Sequence, residues 1–203
     1  SKPRWAIPES QATPEAVFLD RRRLMQGLGA GLIGAGLSGG TAFAAGGAGR
    51  NESFTLGDRA LTPEKFASSY NNFYEFSMSK TVTPMSDALK ARPWRIRIDG
   101  LVEKPTEIEI DDLVKAMPIE ERLYRFRCVE AWAMAVPWTG FPLRRLVEFA
   151  KPTSGAKYVV MKTFLDKSVA PGQKQFWYPW PYTEGLTIEE AKNDLAFMAT
   201  GIY

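Results

Sequence analysis

Hydrophobic and polar residues alternate in two short segments near the middle of the chain. From residue 94 to 98, large apolar residues occupy every second position and charged residues lie between them, which is the period of a half-buried strand. Asp99 and Gly100 follow as a turn signal, and Ile108 and Ile110 resume the alternation. These patterns predict two strands separated by a turn.

Three segments carry helical signals. Asp111 is placed to cap a short helix over residues 112–117, which a proline ends. Residues 141–150 carry apolar side chains at intervals of three and four, the spacing of an amphipathic helix. Residues 187–192 predict a third, short helix.

Two further strands are predicted, over residues 123–128 and 157–164. Strands and helices are thus interspersed without a regular βαβ repeat, and the sequence contains no glycine-rich phosphate-binding loop. This order of elements favours an α+β fold with mixed sheets and short helices.

The chain contains no histidine and one cysteine among its 203 residues. Without histidine, this sequence holds no Ser-His or Cys-His catalytic couple, no His-containing zinc site and no His-ligated haem. With one cysteine it forms no intramolecular disulfide. A soft-metal site in this sequence therefore has a single thiolate, and its other ligands must come from outside the polypeptide.

The charge of the chain is nearly balanced. The net charge is +3, and residues 1–44 hold five basic residues against three acidic ones. A nucleic-acid-binding protein concentrates basic residues in its folded part. The charge pattern therefore argues against nucleic acid as a partner.

Residues 1–44 have the pattern of an export signal. Three arginines at 21–23 precede a weakly apolar stretch, and residues 42–44 (Ala-Phe-Ala) supply the small side chains that a signal peptidase recognises. Paired arginines favour the twin-arginine route, which exports proteins already folded around a cofactor. We therefore predict an export signal over residues 1–44 and a periplasmic domain over 45–203. A flexible Gly/Ala linker is the alternative interpretation.

Cys128 is the sharpest local candidate for chemistry. Arg125 and Arg127 lie within three residues of it and favour the thiolate, the form that binds metals. Residues 70–76 are a second candidate, because most of their side chains carry an amide, a phenol or a carboxylate. Each has a structural alternative: a lone cysteine is commonly a small buried hydrophobe, and a polar loop commonly hydrogen-bonds within itself. Thr163, at the end of a predicted strand, is by itself an ordinary strand residue.

Four motifs together resemble a known family. They occur in the order and at the spacing found in the catalytic subunits of periplasmic protein-methionine-sulfoxide reductases, members of the sulfite-oxidase fold family. The motifs are residues 70–76, 127–132, 136–143 and 152–159. The resemblance runs from residue 13 to Tyr203 and implies a sulfite-oxidase-like molybdopterin-binding domain.

The resemblance also implies a set of cofactor-binding residues. Cys128 matches the cysteine whose sulfur binds molybdenum. The positions that contact molybdopterin are matched by Asn71, Tyr74, Glu75 and Thr163. The cofactor supplies sulfur ligands of its own, which agrees with the single cysteine. Family members have further cofactor contacts after the counterpart of Tyr203, so we expect the sequence to be truncated at this residue.

The resemblance implies a reaction and partners as well. Oxidised periplasmic proteins are the substrates, and their methionine sulfoxide is reduced to methionine at a molybdenum centre. A haem-binding membrane subunit supplies the electrons from the quinone pool, and the twin-arginine machinery exports the chain. Two alternatives remain: a molybdoenzyme for another S-oxide, an N-oxide or sulfite, and a metal-free binding module on the same fold.

Overall fold

The computed structural model describes residues 48–203. The predicted export signal, residues 1–44, lies outside the described residues. Between residues 48 and 203, no helix is both long enough and apolar enough to cross a membrane.

Short strands and short helices alternate along this part of the chain. The strands are β1 (Arg95–Ile98), β2 (Thr106–Glu109), β3 (Glu120–Arg127), β4 (Ala133–Pro142), β5 (Tyr158–Lys162), β6 (Thr183–Thr187) and β7 (Phe197–Ile202). The helices are α1 (Glu64–Ala67), α2 (Thr83–Ser86), α3 (Ile110–Lys115), α4 (Leu143–Ala150), α5 (Ile188–Ala191) and a 3₁₀ helix, Pro171–Lys174. The predicted α+β class with short helices is confirmed.

The strands form three small sheets. β3, β4 and β7 make a three-stranded sheet with β4 in the centre, while β1 pairs with β2 and β5 with β6. The pairings between these strands are antiparallel. Arg50 also forms a parallel bridge with Glu121 at the edge of β3. Antiparallel and parallel pairing therefore both occur, as predicted.

The two alternating segments predicted from the sequence form the β1–β2 hairpin. Ile96 pairs with Ile108 across it, and Gly100 follows β1 with a φ of +87°, a conformation that favours glycine. Both isoleucines pack against a buried cluster of Leu113, Met117 and Phe141. The apolar positions of the pattern are therefore the ones that face the core.

The helix after this hairpin begins earlier than predicted. The N-cap of α3 is Glu109, whose side chain makes no capping bond, so the prediction that Asp111 caps the helix is wrong. Ile110 packs against the buried cluster, and its amide donates to the carbonyl oxygen of Trp94 (2.8 Å). These contacts fix the start of the helix at Ile110. Asp111 lies in the first turn and pairs with Arg92 at 2.7 Å.

A long hairpin of β3 and β4 surrounds Cys128. β3 begins at Glu120 rather than at residue 123, and the sequence pattern did not predict β4 at all. Proline is rare inside strands because it lacks an N–H donor, yet Pro137 lies in β4 opposite Leu123. Its carbonyl oxygen accepts a hydrogen bond from the amide of Tyr203 (3.2 Å), the residue directly after β7, so the acceptor that proline retains is used.

Arg122 on β3 has a buried guanidinium, and its side chain is 3% exposed. The guanidinium lies between the rings of Phe54 and Phe197, 4.0 and 4.6 Å from their centroids. It donates to the Glu120 carboxylate and to the carbonyl oxygen of Asp194. A buried charge persists only when it is paired and hydrogen-bonded. These contacts meet that need and join β3 to the segment before β7.

The remaining predicted elements are confirmed with shifted ends. The helix predicted over 141–150 begins at residue 143, because the two residues before it belong to β4. The strand predicted over 157–164 is β5. The last predicted helix is α5, whose start has a capping box in which Thr187 and Glu190 bind each other's amides (3.1 and 2.8 Å).

Candidate active site

Cys128 lies at the closed end of the β3–β4 hairpin, directly after the last residue of β3. Its amide donates to the carbonyl oxygen of Trp132 (3.0 Å), and its own carbonyl oxygen accepts from the amide of Ala131 (2.9 Å). We call residues 128–132 the Cys128 turn. Ala131 has a φ of +63°, a left-handed conformation that costs a residue with a side chain about 1 kcal/mol. The turn fixes the backbone around a half-buried thiol, beside the fully exposed Val129.

Glu130, in the same turn, is the centre of a polar cluster. Its Oε1 accepts hydrogen bonds from the Tyr74 hydroxyl (2.7 Å), the Asn72 amide (2.6 Å) and the Lys80 ammonium (3.1 Å). Lys80 also donates to the Tyr74 hydroxyl (3.1 Å) and to the side-chain oxygen of Asn72. We call these four residues the Glu130 cluster. Asn72, Tyr74 and Lys80 all come from residues 70–80, which we call the Tyr74 segment. The cluster therefore joins the Tyr74 segment to the Cys128 turn.

The opposite charges in the Glu130 cluster stabilise each other. The hydrogen bond from Tyr74, followed by the one from Lys80, lowers the pKa of the Glu130 carboxyl below its ordinary value. The hydrogen bond with Tyr74 raises the pKa of the Lys80 ammonium above its ordinary value, and the hydrogen bond and charge of Glu130 raise it further, although desolvation acts in the opposite direction. Both side chains are largely shielded from water, at 28% and 29% exposure. The pair is therefore ionised across the neutral range.

Two aromatic rings border the Lys80 ammonium. Its Nζ lies 5.0 Å from the centroid of the Tyr74 ring and 5.5 Å from that of Trp132, distances at which a cation is attracted to a ring face. Trp132 also packs against Tyr70, with their ring centroids 4.8 Å apart. Lys80 therefore contacts the Cys128 turn at two places, Glu130 and Trp132.

Asn71 and Glu75 lie in the same segment as Tyr74. The side-chain nitrogen of Asn71 donates to the hydroxyl of Thr83 (3.1 Å), whereas its Oδ1 is buried without a partner. Buried acceptors are rarely left unpaired, because each costs free energy. The Asn71 oxygen is therefore available to a donor on a bound molecule. Glu75 is buried, with 7% of its surface exposed.

The 3₁₀ helix supports this segment from behind. A Cβ atom at Gly172 would lie 2.1 Å from the carbonyl oxygen of Tyr74 and 2.7 Å from that of Glu75. Contacts this short do not occur, so position 172 admits glycine alone while the segment keeps its place. Gly172 thus determines where two of the predicted cofactor-binding residues lie.

Thr163 lies on a different segment, one residue beyond the end of β5, and it is exposed. Its amide donates to the carbonyl oxygen of Tyr182 (3.0 Å). The ring of its neighbour Phe164 packs against Phe73 and Phe76, with centroids 6.3 Å apart in each case. The structure therefore brings Tyr74 into contact with the Cys128 turn through Glu130, and it connects Thr163 to the Tyr74 segment through Phe164.

The sequence analysis did not single out Glu130 or Lys80. A glutamate two residues after a cysteine and a lysine at the end of a polar segment are both common on protein surfaces. The hydrogen bond between them joins positions 50 residues apart, which no local pattern reports. Their sequence signal is limited to their opposite charges: Glu130 lies in the motif around Cys128, and Lys80 lies four residues beyond the candidate segment 70–76.

The residues at this site suit a molybdopterin cofactor. Across residues 48–203, no group of three or more His, Cys, Asp or Glu side chains is arranged to hold a metal ion. A metal bound by Cys128 must therefore bring its other ligands, as molybdenum does when a pterin dithiolene holds it. The unpaired Oδ1 of Asn71 offers an acceptor to a donor on the polar edge of a pterin.

Comparison with known proteins identifies a matching family and a similar relative. The family described as "Oxidoreductase molybdopterin binding domain" matches residues 81–203. The "Protein-methionine-sulfoxide reductase catalytic subunit MsrP" of Burkholderia mallei (strain ATCC 23344) is 41% identical over 208 residues. That alignment covers 97% of this chain and 63% of the relative, so the chain spans less than two thirds of the relative's length.

Proposed function

Since the chain belongs to the family of oxidoreductase molybdopterin-binding domains, we propose that it forms part of the catalytic subunit of a protein-methionine-sulfoxide reductase. The proposed substrates are oxidised proteins whose methionine sulfoxide is reduced to methionine. Each turnover consumes two electrons and two protons and releases water. The observation that carries the proposal is the single, half-buried thiol of Cys128, a soft ligand fixed at a hairpin turn.

When bound, the molybdenum–molybdopterin group supplies the two-electron removal of the sulfoxide oxygen. Cys128 holds the metal through its sulfur, and the fixed turn orients that sulfur. The pterin is held by Asn71, Tyr74, Glu75 and Thr163. The thiol is half-buried beside the exposed Val129, so the site lies close to the surface. An open site of this kind suits a side chain that is presented on another protein.

We propose a membrane subunit with haem as the electron donor, drawing on the quinone pool. The absence of histidine from this sequence supports a separate haem protein, because haem in such subunits needs axial ligands. The relative's name, "catalytic subunit", supports the existence of a second subunit. The arginines and small residues within residues 1–44 support twin-arginine export to the periplasm.

The test measures the molybdenum content of the full-length protein and of its Cys128→Ser variant. We expect nearly one molybdenum per wild-type chain and a loss of more than about tenfold in the variant, because even indirect supports of a metal ligand change affinity by that factor. Val129→Ser is the matched control, since it makes a similar change at the adjacent exposed position. Reduction of methionine sulfoxide with an artificial electron donor is measured on the same samples.

Three outcomes separate the alternatives. Folded wild-type protein without molybdenum would contradict the proposal and favour a metal-free binding module. Molybdenum in the Cys128→Ser variant at the wild-type level would contradict the ligand assignment. Full molybdenum content with turnover of sulfite but not of methionine sulfoxide would replace the proposed substrate.

A further inference from the structure

Lys80 contacts both parts of the candidate site at the same time. It lies in the segment that holds Asn72 and Tyr74, and it reaches the Cys128 turn through Glu130. We propose that Lys80 is a positioning residue that holds the Cys128 turn in place before the cofactor binds. The expected effect on molybdenum binding rests on the proposed function, whereas the contacts of Lys80 do not.

The ammonium group of Lys80 has all three of its donors directed at oxygen atoms of the Glu130 cluster. An ammonium offers three N–H donors and no acceptor. Its partners are Oε1 of Glu130 (3.1 Å), the hydroxyl of Tyr74 (3.1 Å) and Oδ1 of Asn72. If Lys80 left this position, Tyr74 and Asn72 would lose a shared donor, and the Glu130 carboxylate would lose its counter-charge.

The Cys128 turn depends on such contacts because it has little other support. Two backbone hydrogen bonds close it, Cys128 to Trp132 and Ala131 to Cys128. Val129 and Ala131 are both exposed, so neither residue stabilises the turn by packing. The side chains that connect the turn to the rest of the protein are those of Glu130 and Trp132, and Lys80 contacts both.

The consequence concerns the order of events at the site. A ligand that is already held in position loses less conformational freedom when the metal complex arrives, and it therefore binds more tightly. Lys80 acts on the thiol indirectly, through Glu130 and Trp132. Its removal is expected to loosen the turn while the surrounding sheets keep their structure.

The test is hydrogen–deuterium exchange on full-length protein prepared without cofactor, comparing wild type with Lys80→Met. Methionine keeps the length of the side chain and removes the charge and the donors. We expect the amides of Cys128 and Ala131, which are hydrogen-bonded within the turn, to exchange at least about fivefold faster in the variant, because charged hydrogen bonds hold the turn. Amides of β1 and β2 should be unchanged. Lys80→Arg, which keeps the charge and the donors, should restore protection of the turn.

Lys65→Met is the matched control. Lys65 also lies over an aromatic ring, that of Phe66 at 4.9 Å, but it has no part in the Glu130 cluster, so its loss should leave the turn unchanged. Unchanged exchange at residues 128–132 in Lys80→Met would overturn the proposal. So would an equal acceleration in β1 and β2, which would indicate general destabilisation. Molybdenum content, measured separately on loaded protein, should fall in Lys80→Met and not in Lys65→Met. A wild-type protein that holds no molybdenum would refute the proposed function, but it would not affect the result of the exchange experiment.

Discussion

The contact between the 3₁₀ helix and the Tyr74 segment can be tested by replacing Gly172 with alanine. The added Cβ would lie 2.1 Å from the carbonyl oxygen of Tyr74, 2.7 Å from that of Glu75 and 2.9 Å from the carbonyl carbon of Glu75. All three are backbone atoms, so no side chain can rotate away. Ordinary contacts are about 3.5 Å, and the backbone must therefore move by more than about 1 Å.

The magnitude follows from the cost of overpacking. An extra carbon forced into a well-packed interior costs about 3 kcal/mol when the backbone must shift. For a chain of this length, that cost lowers the melting temperature by about 6 to 12 °C. Because the displaced atoms belong to two predicted cofactor-binding residues, we also expect a lower molybdenum content in Gly172→Ala.

The assay is thermal unfolding followed by circular dichroism on the full-length protein, with Gly185→Ala as the control. A Cβ at Gly185 would lie 3.9 Å from the nearest atom, the carbonyl oxygen of Val159, so the control should stay within about 1 kcal/mol of wild type. If Gly172→Ala melts together with the control and the wild type, the 3₁₀ helix does not pack on the Tyr74 segment as described.

Three further changes are expected to alter stability. Arg122→Met removes a buried cation from between two rings and leaves Glu120 without its counter-charge; we expect a loss of about 3 kcal/mol in urea unfolding. Arg125→Met, an exposed change on the same strand, should have little effect. Thr187→Ala removes the capping box of α5 and should cost about 1 kcal/mol in the same assay. Asp166 accepts hydrogen bonds from the hydroxyl and amide of Ser168, which lower the pKa of its carboxyl below the ordinary 3.8. The ionised carboxylate therefore contributes fully to the free energy of unfolding above pH 3.8, and this contribution is lost as the pH falls through the lowered pKa. Acid unfolding of Asp166→Asn should therefore show a smaller loss of stability below pH 3.8 than the wild type, and an equal loss would refute this assignment.

Local patterns predicted the elements whose cause is local. The alternation before Gly100 predicts β1 because one face of that strand packs against the core. Thr187 and Glu190 mark the start of α5 because their side chains bind the free amides of that helix. By contrast, β4 contains prolines, and it is a strand because it has a partner on each side. Such pairing depends on distant parts of the chain, and a local pattern does not contain it.

The candidate site shows the same division. Motifs identified Cys128 and residues 70–76, since each lies in a short run of chemically distinctive residues. The contacts between them could not be predicted from the sequence, because the ion pair of Lys80 and Glu130 forms only after the chain folds back on itself. Arg122 is a further case: an arginine inside a strand resembles a surface residue until Phe54 and Phe197 are seen on either side of it.

The topology of the central sheet has a consequence for how the protein is made. Arg127 and Ala133 pair across the closed end of the β3–β4 hairpin, whereas β4 meets β7 by pairing Trp138 with Ile202. Contacts close in sequence form faster than distant ones, and the N-terminal part of a chain leaves the ribosome first. We therefore expect the thiol to be presented on a two-stranded hairpin while β7 is still being synthesised. The last event in the assembly of this sheet is then the arrival of β7, and Cys128 is already in place on a sheet whose third strand is still missing.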